Sequence, residues 1–162
     1  MNSRPFPARR RRFRWSRITL LGLPLLVLLV VGALAMAARQ LEAMRLGGVF
    51  DHLGYGFSRY SVDRCWHIPH FEKMLYDNAQ LISIYSKAYR LSKNEHYKDI
   101  VSETIDFLLN EMKSSVGGFY SAYDADSEGK EGTYYTWTKN EIEEILANDA
   151  ELFSVAYGVT AA

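Results

Sequence analysis

The segment Phe71-Glu72-Lys73-Met74-Leu75-Tyr76-Asp77-Asn78-Ala79-Gln80-Leu81-Ile82-Ser83-Ile84-Tyr85-Ser86-Lys87-Ala88-Tyr89-Arg90-Leu91 carries one dominant signal. Phe71, Met74, Leu75, Asn78, Leu81, Ile82, Tyr85, Ala88 and Tyr89 recur at steps of three and four, which places them on one face of a helix. Pro69 suits a helix entrance, so the pattern predicts a helix opening near Pro69 and running to about Leu91. Ser92-Lys93-Asn94-Glu95 then matches a capping box, with Ser92 as cap and Glu95 reaching back. A second helix follows, with Tyr97, Ile100, Val101, Thr104, Ile105, Leu108 and Met112 on its inner stripe. A connection this short makes the pair an antiparallel helical hairpin.

Each side of the hairpin carries an aromatic loop led by two glycines. On the N-terminal side, Arg39–Leu46 reads as the end of a helix stopped by Gly47-Gly48, and Val49–Asp63 as a tight loop with a short hairpin. On the C-terminal side, Ser114–Gly118 closes the second helix and Phe119-Tyr120-Ser121-Ala122-Tyr123-Asp124-Ala125-Asp126 follows. This is a weak internal repeat, with Asp51 and Asp63 in one loop and Asp124 and Asp126 in the other. Alternate loops of stacked helical hairpins emerge at the same end, so both should meet at one mouth. Beyond them Gly129–Gly132 reads as a turn and Thr133–Trp137 as a short strand. Thr138-Lys139-Asn140-Glu141 reads as a capping box opening a helix through Ile142, Ile145 and Leu146.

The first forty residues differ in character. Residues 1–17 hold seven of the nineteen basic side chains and no acid, so a formal net charge of +0 conceals an acidic body. That body would repel phosphates and excludes a nucleic-acid partner for it. Residues 1–17 read as a basic disordered N-terminus, 18–38 as an apolar helix, and 39–162 as the folded body. Ile18–Ala38 has no charged residue and is long enough, at about 1.5 Å per residue, to cross a hydrocarbon core. The arginines would then stay cytoplasmic, giving a single-pass membrane protein with its body on the far side. Three rivals remain: a cleaved signal peptide with small residues at Ala33, Ala35 and Ala37; a truncated or misread N-terminus; and a cytoplasmic soluble chain. Cys65 is the only cysteine, which excludes an intrachain disulfide, a Cys-x-x-Cys redox pair and a thiolate zinc site.

The loop sequences are long and specific enough to carry a resemblance. Gly47–Asp63, Trp66-His67-Ile68-Pro69-His70-Phe71-Glu72-Lys73-Met74-Leu75-Tyr76-Asp77-Asn78-Ala79 and Gly117-Gly118-Phe119-Tyr120-Ser121-Ala122-Tyr123-Asp124-Ala125-Asp126-Ser127-Glu128 resemble the spermatogenesis-associated, thioredoxin-domain-containing protein family, over roughly residues 34–160. The resemblance implies an N-terminal thioredoxin-like domain joined to a six-hairpin (α/α)6 toroid similar to those of glycosidases and N-acylglucosamine 2-epimerases. The expected fold class is therefore mainly α, a partial toroid of about two hairpins with short β-hairpin loops. Against that plan the thioredoxin-like domain and the later hairpins are missing, so the chain is expected to be a fragment, inactive alone.

A carbohydrate role would draw on particular residue types. Glycoside hydrolysis needs two carboxyl groups across a sugar, and epimerisation beside a carbonyl needs a base and a proton donor. Candidate catalytic residues are His70, Glu72, Asp77, Asp124 and Asp126. Candidate substrate-binding residues are Arg59, which would fix an anion, the rings of Tyr60, Trp66, Tyr123 and Trp137, and the polar His67 and Asn78. Simpler roles compete: Asp124 and Asp126 also suit loop turns, His70 a cap, Glu72 a helix-dipole partner. Asn78, on an apolar face, requires hydrogen-bond partners, in a polar pocket or between helices. Asp63 is a further carboxylate; His52, His96 and Cys65 read as structural or exposed. No cofactor is implied, and His67 and His70 lack a third ligand at metal-binding spacing. The rival to an enzyme is a non-catalytic platform for a ligand or protein.

Overall fold

The computed structural model describes residues 17–160, with side chains from Gly22 onward. The chain is mainly helical and divides into two compact units, residues 1–40 and 41–162. The expected disorder of residues 1–17 falls almost wholly outside the described residues.

Helix α1 spans Arg17–Leu46 without interruption, Pro24 included. One continuous helix therefore joins the apolar stretch to the amphipathic Arg39–Leu46 segment. Within the first unit the apolar side chains from Leu23 to Met36 lie half or more exposed. The segment Gly22–Leu46 is long and apolar enough to cross a membrane.

The second unit is built on the helical hairpin. Helix α2 runs Leu75–Ser92 and α3 runs Glu95–Phe107, continued by a π-helical turn at Leu108–Met112. The helices pack side by side, their shared core holding Tyr85, Tyr97 and Ile100 with Phe50 and Phe57 from the preceding loop. Tyr85 stacks on Phe57 at 5.6 Å and meets Tyr97 edge-on at 5.6 Å. A second cluster, Phe107, Leu108 and Met112, is covered by Tyr55, Leu75, Ile82 and Tyr123. The inner stripe of α3 follows the expected spacing except at two positions. Ile105 is exposed, and Phe107 takes the buried place.

Three local expectations are corrected. The α2 helix opens at Leu75, not near Pro69. Pro69 and His70 form strand β2, paired antiparallel with β1, Tyr60–Ser61. Lys73–Met74 form β3, paired with β4, Ala122–Tyr123. The chain from Pro69 to Met74 is extended because its backbone groups find partners across two loops, which outweighs local helical periodicity. At the hairpin corner the cap is Asn94, whose side chain accepts from the His96 amide. Ser92 is instead the last residue of α2: its hydroxyl donates to the Ala88 carbonyl, and Lys93 adopts the left-handed conformation that ends the helix. Finally, Thr133–Trp137 is not a strand. The Tyr135 amide and the Thr136 hydroxyl both donate to the Gly132 carbonyl, closing a turn, while the strands lie upstream as β5, Asp126–Ser127, and β6, Lys130–Glu131.

The Thr138–Glu141 capping box forms as read and opens α4, Lys139–Leu146. A 3-10 turn, Ala147–Asp149, leads to α5, Ala150–Tyr157, whose Leu152, Val155 and Tyr157 are exposed.

Two glycines let loop backbone press against aromatic rings. Gly56 has φ +75°, and a Cβ there would lie 2.4 Å from the Phe107 ring. Gly132 has φ +76°, and a Cβ would lie 2.5 Å from Phe71. In both cases the backbone touches an aromatic face where no side chain fits.

Candidate functional site

The two glycine-led loops meet. Asp51 and Gly54 of the first, and Tyr123, Asp124, Ala125, Asp126 and Ser127 of the second, line a single cavity of about 490 Å³. Phe107 and Glu111 form its helical wall, and Tyr134 and Tyr135 close the remaining side. The expectation of a shared mouth holds for Asp51, Asp124 and Asp126, and not for Asp63. That residue folds back on its own loop, its carboxylate accepting from the amides of Cys65, His67 and Ile68. These amides, Ile68 first, hold the Asp63 carboxyl below its ordinary range.

Lys73 is buried in the wall of the cavity and was not among the residues expected there. Its side chain is only 2% exposed. The ammonium donates to Asp51 Oδ2 at 2.7 Å and to the Tyr55 carbonyl at 2.8 Å. It lies 4.7 Å from the centre of the Phe107 ring and 5.2 Å from that of Tyr135. Burial pushes the Lys73 pKa down, against the opposing pull of Asp51. Burial likewise acts to raise Asp51, but the hydrogen bonds from Lys73 and from the Gly54 and Leu53 amides outweigh it and hold that carboxyl low.

The reason Lys73 escapes a sequence reading is the misplaced helix start. On a helix beginning near Pro69, Lys73 falls beside the apolar stripe and reads as solvent-exposed. In the extended chain the period is two, so Phe71 and Lys73 share a face. Phe71 stacks on Tyr135 at 5.2 Å, and Lys73 approaches the same ring. A lysine in strict alternation with a phenylalanine, just before a helix, was the available signal.

The remaining candidates divide into three places. Asp124, Asp126 and Tyr123 line the cavity; Asp124 Oδ1 accepts from the Asp126 amide at 3.1 Å, the loop turn weighed above, and the Tyr123 hydroxyl donates to the Glu111 carbonyl. Burial raises the pKa of Tyr123 and pushes that of Tyr135 up to about 12. Arg59, Tyr60, Trp66 and Asp77 line a separate, smaller cavity of about 200 Å³ with Gln80 and Ile84. There Asp77 Oδ2 is buried without a hydrogen-bond partner among the described residues, and burial raises its pKa. Arg59 is held by Glu72, at 2.7 Å. His70 stacks on Tyr60 at 4.8 Å, and its Nδ1 lies 2.6 Å from Glu131, so it caps no helix. Neither His70 nor Glu72 reaches the larger cavity.

Asn78, His67 and Trp137 lie apart from both cavities. The Asn78 amide is fully buried and engaged with backbone: it accepts from the Phe57 amide at 2.7 Å and donates to the carbonyls of Phe57 and Met74. Its partners are thus a loop and the β3 residue that caps its own helix, rather than a pocket or the second helix. Trp137 is 63% exposed. His67 is exposed and uses its backbone amide to hold the Asp63 carboxylate.

The chain is similar to several curated proteins. The chain is similar to spermatogenesis-associated protein 20 of Homo sapiens, 49% identical over 68% of this chain and 15% of that protein. The Mus musculus protein of the same name is 47% identical over the same shares. An uncharacterised Caenorhabditis elegans protein is 40% identical over 76% of this chain and 18% of its own length. The chain therefore spans about 15% of the length of the curated relatives first matched. No protein-family model matches it.

Proposed function

We propose that the cavity around Lys73 is a binding cleft for a small neutral polyol of the sugar type, within a protein whose complete form is a six-hairpin, glycosidase- or epimerase-like toroid. The observation that carries this reading is the convergence of two loops, each led by a glycine pair, on one cavity with aromatic walls and carboxylate rims. Its aromatic surfaces offer apolar faces to a sugar ring, and its carboxylates accept hydrogen bonds from hydroxyls. Charge restricts the ligand further. Asp51 is neutralised by Lys73, which leaves Glu111, Asp124 and Asp126 against no other cation among the described residues of the lining, so phosphorylated and acidic sugars are disfavoured. In an isomerase or hydrolase, Asp124 and Asp126 would be the proton-handling groups.

Binding without turnover is the second reading. It is favoured by the absence of His70 and Glu72 from the cavity, which leaves no histidine among the described residues of its lining. Saturation-transfer NMR with a panel of neutral mono- and disaccharides tests the shared claim. At least one sugar should receive saturation from the full chain, and Asp124→Asn combined with Tyr135→Leu should abolish it. Equal transfer to both proteins would remove the cleft from consideration.

The long exposed apolar helix supports a single-pass anchor, with the arginines of residues 1–17 on the cytoplasmic side. Carbonate extraction of the expressed chain should leave it in the membrane pellet; full release to the supernatant excludes the anchor.

A further inference from the structure

We infer that Lys73 is an amine nucleophile of the cleft, taking a ligand that carries an aldehyde, such as the open-chain form of an aldose, as a Schiff base. This rests on the cleft reading above and names the ligand's reactive group. Four features of the geometry support it. Among the described residues, Lys73 is the only lysine in the cavity lining. An ammonium has three donor positions; two are directed at Asp51 Oδ2 and the Tyr55 carbonyl, and the third has no hydrogen-bond acceptor among the described residues. The Phe107 and Tyr135 rings beside the nitrogen limit water around it. Asp51 Oδ2, at 2.7 Å, is placed to accept the proton that the amine must lose.

The step balances without an external redox partner. Asp51 Oδ2 takes one proton from the Lys73 ammonium, and the freed lone pair adds to the aldehyde carbon, forming the C–N bond as the carbonyl π bond breaks. The second nitrogen proton passes to the resulting oxygen, giving a carbinolamine. The proton held by Asp51 then returns to the hydroxyl, which leaves as water while the nitrogen lone pair completes the C=N bond. Neighbouring carboxylates favour the positively charged form of the imine. Burial, which lowers the pKa of Lys73, increases the share of free amine at neutral pH relative to a solvated lysine.

The test uses the full chain, glycolaldehyde as a small probe, and cyanoborohydride to reduce any imine to a stable secondary amine. Peptide mapping by mass spectrometry then compares Lys73 with the other lysines of the same molecule. Lys73 should be modified at an initial rate on the order of tenfold above their median. Lys73→Arg should remove the adduct from that peptide and leave the others unchanged. Because the comparison is internal to the unmodified protein, it stands even if the variant does not fold. Labelling of Lys73 no faster than the median overturns the inference, including by simple inaccessibility. The two claims separate cleanly. Sugar binding without Lys73 labelling defeats the nucleophile and leaves the cleft, whereas Lys73 labelling without binding of any sugar defeats the polyol reading alone.

Discussion

Asn78→Leu is expected to destabilise the fold by about 4 kcal/mol, read as a lower urea midpoint with unchanged slope. The side chain is fully buried and is the only link between the amide and carbonyl of Phe57 and helix α2. It grips Phe57 as a neighbouring strand would, with one acceptor and one donor. Leucine fills the volume but leaves both Phe57 groups, and the side-chain bond to Met74, without a partner. Each buried polar group so orphaned costs about 1–3 kcal/mol. Phe57 is itself fully buried, stacked on Tyr85 and packed against a tilted Phe50 ring, so its loop cannot turn these groups to water without dismantling the first core cluster. Gln80→Leu on the same helix is the control. Gln80 is exposed and donates only to Tyr76, so its replacement should stay within about 0.5 kcal/mol. Equal effects from the two would show that Asn78 has no special place.

This residue also illustrates what the sequence makes legible. An amide on an otherwise apolar helical face announces a buried hydrogen-bond requirement, and the requirement is real. Its partners, however, are backbone groups 21 residues away, which no local pattern identifies. The hairpin itself is legible because the 3.6-residue period of Leu75–Ser92 and Glu95–Phe107 is a local property that packing only reinforces. The Thr138 capping box is legible for the same reason. The start of α2 is not: Pro69–Met74 has apolar spacing compatible with a helix, and only its pairing with β1 and β4 makes it extended. That single displacement hides Lys73, buried in the wall of the cavity, while leaving Asp124 and Asp126 visible as loop carboxylates. It also draws attention to His70 and Glu72, which the extended chain carries elsewhere. The shared mouth was foreseeable from the glycine-led repeat, because hairpin topology alone puts alternate loops together.

The second large effect concerns the ion pair that closes the mouth. Asp51→Ala is expected to cost about 3 kcal/mol, because it leaves the Lys73 ammonium buried with no counter-charge and frees the amides of Leu53 and Gly54. Burial already disfavours the charged form of Lys73, and removing Asp51 takes away the group opposing that effect. The pH dependence follows from the carboxyl side. Asp51 has a folded-state pKa below its ordinary value, so its contribution is fully present above the ordinary carboxyl range. It is lost progressively as pH falls from the ordinary carboxyl range through the lowered folded value, so this contribution to stability declines on the acid side.

The account depends most on Lys73 being a buried charge held by Asp51 in the wall of the cleft, and a double-mutant cycle measures that directly. Urea unfolding of the full chain, Asp51→Ala, Lys73→Met and the double variant gives the coupling energy. Methionine keeps the apolar stem between Phe107 and Tyr135 and removes the charge, so adding Lys73→Met to Asp51→Ala should recover stability, with a coupling of about 2 kcal/mol or more. Strictly additive effects, with Asp51→Ala alone costing less than about 0.5 kcal/mol, would mean that Lys73 is solvated and that no such cleft is built around it.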